Sequence, residues 1–132
     1  MPRAVYFDLS ALLGLLEGDG AILKVIEDAV DFYTGALQLA EVLGAGALRK
    51  KKLNKLRLLM NNFTVLDFTS EDAVGVSDIV KKVKDSGMDY SFETLTALAQ
   101  TMRRSLTLVT KNTEISKFKD EKLHLEVCES KK

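Results

Sequence analysis

The chain has 132 residues, 46% hydrophobic and 29% charged, the profile of one ordinary globular domain rather than a disordered or fibrous chain. Lys+Arg and Asp+Glu balance at 19 each, so overall charge makes no case for nucleic acid, and any such case rests on local distribution. A single cysteine, Cys128, and a single histidine, His124, exclude an internal disulfide and a Cys/His zinc site built within one chain.

The N-terminus lacks a basic stretch followed by a long apolar run. The apolar stretches Ala11–Leu16 and Gly44–Leu48 are too short to span a bilayer. A cytoplasmic protein with no membrane partner is the expectation. From the N-terminus, Val5-Tyr6-Phe7 reads as a short strand stopping at Asp8, and Ser10 as the N-cap of a helix through Ala11–Leu16. Gly18-Asp19-Gly20 breaks the chain. Ala21–Val30 carries Ile22, Val25, Ile26 and Ala29 at helical spacing, and Asp31–Thr34 reads as a second strand ending at Gly35.

A helical region over Ala36–Leu59, broken near Gly44–Gly46, precedes β-rich Phe63–Phe68. Thr69-Ser70-Glu71-Asp72 has the composition of a helix cap. The helix it opens carries Val74, Val76, Ile79, Val80 and Val83 and ends near Gly87. Phe92–Met102 predicts a further helix with Phe92, Leu95, Ala99 and Met102 along one face. Leu106–Thr110 reads as a buried strand and Leu123–Val127 as an alternating last one. Strands alternating with helices predict an α/β fold with a mainly parallel sheet.

Ligands in such sheets gather outside the carboxyl ends of the strands, which singles out Asp8 and Thr110-Lys111-Asn112. An aspartate after a strand is also a common helix cap, and the residue alone does not separate the two roles. Glu41 sits in a helix otherwise almost free of charge, either as a ligand or on a polar stripe with Gln38 facing solvent. Glu93 either belongs to a site or favours the positive end of its helix, with Asp89 a competing acid. Assembled carboxylates repel by roughly 4 kcal/mol per pair at about 4 Å and an effective dielectric of about 20, so a protein that gathers several does so around a cation. Oxygen-only donors point to Mg²⁺ or Mn²⁺.

At these residues the sequence resembles the PIN-domain family, in particular the short VapC-type toxins of prokaryotic toxin–antitoxin pairs. Val5-Tyr6-Phe7-Asp8-Leu9-Ser10 is similar to the family's strand followed by Asp-x-Ser. Gln38–Val42 resembles the segment bearing its glutamate, and Phe92–Ala99 its Asp-x-x-x-Ala helix. Leu108-Val109-Thr110-Lys111-Asn112 resembles Leu-Val-Thr-[Arg/Lys]-[Asn/Asp], and Leu123–Val127 the closing strand.

The resemblance implies a three-layer α/β/α fold over residues 1–128, followed by a charged tail, 129–132, that frays. It further implies a metal-dependent endoribonuclease in which Asp8, Glu41 and Glu93 hold one or two Mg²⁺ or Mn²⁺ ions and water attacks an RNA phosphodiester. Ser10 and Thr110 would be hydroxyl partners, and Asn112 would complete the site as a neutral ligand or a donor behind the ligands. An antitoxin protein and a second copy in a homodimer are the implied partners. Two positions depart from the pattern: glutamate stands at 93 where aspartate is usual, and Asn112 replaces an acid, with Glu114 placed to compensate. A non-catalytic or degenerate module that binds RNA or protein is the alternative these departures raise.

The basic run Arg49–Arg57 reads either as a solvated face or as a contact for phosphates or an acidic antitoxin segment. Arg49, Lys50, Lys52 and, beyond the run, Lys111 are the candidate RNA-binding residues; Arg103-Arg104 is a second cationic pair. Glycines over Gly14–Gly20 lack Rossmann or P-loop spacing. A receiver domain would place Asp8, Asp67 and Thr110 at strand ends, yet would need an acidic cluster and a closing lysine that do not appear. The stripe Leu12, Leu13, Leu15, Leu16 reads as core, with part of it free to form a dimer seam.

Overall fold

The computed structural model describes residues 3–44 and 49–129. Residues 130–132, most of the tail expected to fray, and residues 45–48, where the helical break was expected, lie outside the described residues.

The described chain alternates strands and helices: β1 (Ala4–Phe7), α1 (Leu9–Glu17), α2 (Gly20–Asp28), β2 (Asp31–Gly35), α3 (Ala36–Gly44) and α4 (Lys50–Met60). There follow β3 (Phe63–Leu66), α5 (Ser70–Ser86), α6 (Phe92–Arg104), β4 (Thr107–Thr110), a 3₁₀ turn (Thr113–Lys117) and β5 (His124–Val127). The 3₁₀ turn carries no apolar period and was not anticipated. No described helix is long and apolar enough to cross a membrane.

All strand pairings are parallel, in the order β3-β2-β1-β4-β5. Alternation along β1 sends Val5 and Phe7 to one face of the sheet and Tyr6 to the other. The first face is covered by Leu12, Leu15 and Leu16 of α1, Ile22 and Val25 of α2, Val42 of α3 and Leu56 of α4. The second is covered by Ile79 and Val83 of α5 and Ala97–Ala99 of α6. The result is the expected three layers. Most of the leucine stripe is core: Leu12, Leu15 and Leu16 are buried, and Leu13 is half-buried.

Local signals set the helix ends. Thr69 and Asp72 form a reciprocal capping box on α5, and Gly87 closes that helix in the left-handed region at φ 75°. Gly18, at φ 74°, closes α1, and Asp19 immediately caps α2. The cap of α1 is Asp8 rather than Ser10, because its short carboxylate on extended backbone reaches Ala11 N at 2.9 Å. Ser10 lies inside the first turn and donates to Asp8 instead.

The face expected for α6 is also corrected. Phe92 is 62% exposed, and Leu95 and Met102 are half-buried, whereas Thr94, Thr96, Gln100 and Thr101 are buried beside Ala97–Ala99. Their polar atoms find partners inside, so burial does not leave them unsatisfied. Val74 and Val80 of α5 are likewise exposed, which leaves Ile79 and Val83 as the buried part of its valine-rich stripe.

Candidate functional site

In the order 3-2-1-4-5 the chain leaves β1 toward β2 on one side and returns to β4 on the other. The gap outside the carboxyl ends of β1 and β4 is therefore the topological switch point, where open α/β sheets hold ligands. Asp8 ends β1 there, and Thr110, Lys111 and Asn112 end β4. Strand pairing fixes the two sets in register: Phe7 opposes Val109, and Asp8 N donates to Val109 O at 3.3 Å. The same order differs from the 2-1-3-4-5 arrangement of receiver domains, and the receiver reading ends here.

Hydroxyls join the two strand ends. Ser10 Oγ donates to Asp8 Oδ1 at 2.7 Å, lies 3.2 Å from Thr110 Oγ1 and accepts from Lys111 N at 2.8 Å. Thr110 Oγ1 accepts from Asn112 N at 3.0 Å. Asp8 is 5% exposed, and among the described residues no cationic side chain forms an ion pair with it. Burial raises its carboxyl above the ordinary aspartate value, opposed by hydrogen bonds from Thr110, Ser10 and Ala11.

Glu41 and Glu93 share a different surface. Both line a cleft of about 360 Å³ with Leu37, Ala40, Gly44 and Phe92, between α3 and the start of α6; Asp8 is not on its wall. Among the described residues no three His, Cys, Asp or Glu side chains come together as a metal-binding group. The arrangement thus gathers the two glutamates, while the Asp8 carboxylate is turned inward to cap α1. Glu41 itself is exposed, the outcome expected for a polar stripe, but Gln38 on the same helix is fully buried.

The remaining candidates divide. Asn112 Oδ1 accepts from Glu114 N at 3.1 Å and so caps the 3₁₀ turn, while Glu114 pairs with Lys117 at 2.7 Å on the surface. Lys111 Nζ pairs with Asp19 at 2.6 Å. Lys52 Nζ and Lys55 Nζ both donate to Leu16 O at 2.9 Å, closing the carbonyl end of α1, where cations are favoured. Arg49 and Lys50 are exposed. Cys128 is buried and burial pushes its thiol up, which makes it a poor nucleophile.

Sequence reasoning missed the residue that connects these groups. Gln38 Oε1 accepts from Leu9 N at 2.8 Å, and its Nε2 donates to Glu93 O at 2.6 Å and Thr96 Oγ1 at 3.0 Å. The only signal available was an uncharged amide inside an apolar helix.

The donors at this end of the sheet are carboxylate, hydroxyl and amide oxygens with no His or Cys. Oxygen donors of this kind suit a hard divalent cation such as Mg²⁺, which binds through one or two carboxylates, but they are divided here between the Glu41 and Glu93 cleft and the separate Asp8 cap of α1.

Five parallel strands in this order between two helical layers define a PIN-like α/β fold. Solved structures share it. A chain of VapBC2 from Rickettsia felis, bound to a DNA fragment from its promoter, superposes with a TM-score of 0.82 at 15% identity, covering 95% of this chain and 98% of that one. A chain of a toxin–antitoxin complex from Klebsiella pneumoniae gives 0.74 at 16% identity over 91% and 95%. One from VapBC-5 of Mycobacterium tuberculosis, a member of the VapBC family of toxin–antitoxin systems, gives 0.73 at 17% over 96% and 99%. No protein-family model and no curated protein sequence matches the chain.

Proposed function

We propose that the chain is a Mg²⁺- or Mn²⁺-dependent endoribonuclease, hydrolysing RNA phosphodiester bonds as the toxin of a toxin–antitoxin pair. The observation that carries this reading is Asp8: a buried carboxylate at the switch point, held by Ser10 and the Ala11 amide, with no cationic partner among the described residues. A buried carboxylate is costly unless a charge or several hydrogen bonds compensate it. The likeness to chains of VapBC complexes supports a toxin reading and an antitoxin partner. A homodimer follows from the resemblance alone.

Asp8, Glu41 and Glu93 would hold the cation. When bound, it supplies activation of water and stabilisation of the leaving oxygen. Ser10 and Thr110 fix the rotamer of Asp8 through their linked hydroxyls, so its carboxylate keeps one orientation. Glu41 and Glu93 give the neighbouring cleft its negative rim. Arg49 and Lys50, exposed at the start of α4, are available to RNA phosphates, whereas Lys52 and Lys111 already hold partners within the fold.

One observation favours a second reading, a non-catalytic module that binds RNA or protein. No three-acid group is present among the described residues, and Asn112 and Glu114 are spent on the 3₁₀ turn. RNA cleavage with Mn²⁺ separates the two. The parent should cleave and Asp8→Asn should not; equal rates, or no cleavage by either, would leave the binding module. Co-purification with a small antitoxin and release of activity on its removal tests the toxin assignment.

A further inference from the structure

Phe92 is the one exposed aromatic side chain among the described residues, 62% accessible, and it stands on a fixed turn. Ser91 caps α6 by accepting from Thr94 N, and the carbonyl of Glu93 accepts from Gln38 Nε2 at 2.6 Å and Thr96 Oγ1 at 2.8 Å. The residues on either side of Phe92 are thus tied down while its ring faces outward. The ring has no aromatic partner, since the ring contacts among the described residues join Phe7, Phe32 and Phe63. It shares the cleft of about 360 Å³ with Leu37, Ala40 and Gly44 of α3, and Glu41 and Glu93 complete the lining.

A slot with one aromatic wall, one aliphatic wall and acceptor-only carboxylates has the chemistry that receives an unpaired nucleobase. The flat faces of a base stack on an aromatic ring, and its edge presents amino groups that carboxylates accept. Adenine, cytosine and guanine carry such groups and uracil does not. Glu41 and Glu93 repel phosphates, but cations follow closely in the chain. Arg49 and Lys50, both exposed, come five and six residues after Gly44, a span of at most about 22 Å. Those cations suit the phosphates flanking a base and oppose a basic peptide as the occupant. We propose that Phe92 is the base-stacking residue of the RNA site, holding one unpaired, amino-bearing base in this cleft while Arg49 and Lys50 meet the flanking phosphates. It rests on RNA binding, which the nuclease and binding-module readings share, and it needs no metal centre.

The test is titration of the full chain into a uridine hexamer carrying one central 2-aminopurine, in EDTA, where a metal-dependent nuclease does not cut. Phe92→Leu removes the aromatic face and keeps an apolar side chain, whereas Phe92→Trp keeps a face. The ring is exposed, so Tm should stay parent-like in both. Affinity lower by roughly fivefold or more in Phe92→Leu, and parent-like in Phe92→Trp, supports the proposal. At saturation the 2-aminopurine should also be dimmer on the parent than on Phe92→Leu, because stacking quenches it. Parent-like affinity and emission in Phe92→Leu, or an equal loss in Phe92→Trp, overturns the proposal and leaves RNA binding standing. A peptide of arginine and leucine that binds the parent and not Phe92→Leu, with hexamer affinity the same for both, gives the cleft to a protein partner and also overturns it. No binding of the hexamer by the parent removes the RNA reading and this proposal together.

Discussion

Ser10 and Thr110, a hundred positions apart, bring their hydroxyl oxygens within 3.2 Å of each other beside the Asp8 carboxylate. The contact exists because β1 and β4 run parallel with Phe7 opposite Val109, so both strands end at the same level. Thr110→Val keeps the shape, removes the contact and strands Asn112 N. It should cost about 1–3 kcal/mol in denaturant unfolding, and Mn²⁺-dependent cleavage should fall more than that loss of folded protein explains.

Asp8 and Asp72 are both buried and titrate in opposite directions. Burial raises Asp8, so the native state holds its proton more tightly than the unfolded chain does. The stability it contributes is complete below the ordinary aspartate value and is lost as pH rises through its raised one. Asp8→Asn should abolish that fall between acidic and neutral pH and give a Tm at pH 7 equal to or above the parent's. RNA cleavage should drop by roughly a hundredfold or more. A lower Tm with cleavage intact would make Asp8 a cap and nothing else.

For Asp72, burial pushes the carboxyl up, but hydrogen bonds from Arg104, Thr69 N, Gln100 and Arg103 outweigh it and hold it well below the carboxylate range. Its stability is present above the ordinary aspartate value and lost as pH falls through the depressed one. Asp72→Asn should lose about 2 kcal/mol at neutral pH and flatten the acid limb of a stability–pH curve measured by urea unfolding.

Glu41 and Glu93 line one cleft and take no part in an ion pair among the described residues. Glu41→Gln and Glu93→Gln should each leave stability within about 0.5 kcal/mol while lowering kcat/KM for RNA roughly tenfold or more. Parent-like cleavage by both would remove the cleft from the site.

Lys52 and Lys55 act on the carbonyl end of α1. Replacing both by methionine should lower Tm by roughly 3 °C and leave the salt dependence of RNA binding unchanged. Arg49→Gln with Lys50→Gln should do the reverse, flattening the slope of log affinity against log salt.

The sequence by itself determined what depends on neighbours in the chain. Strand ends at Asp8 and Thr110, the capping box at Thr69, the stops at Gly18 and Gly87 and the alternation that calls for a parallel sheet are all local chemistry. The PIN-like fold was legible from them together with the resemblance. Only the tertiary structure decided which polar side chains go inside. Gln38, Thr96, Gln100 and Asp72 are buried because partners from distant elements satisfy them, and apolar periodicity is blind to such residues. The same blindness misassigned the face of α6 and hid the use of Lys52. For Asp8, the sequence placed an acid at a strand end. The resemblance also named Ser10 and Thr110 as hydroxyl partners, but that Glu41 and Glu93 line a cleft apart from Asp8 depended on contacts between segments far apart in the chain.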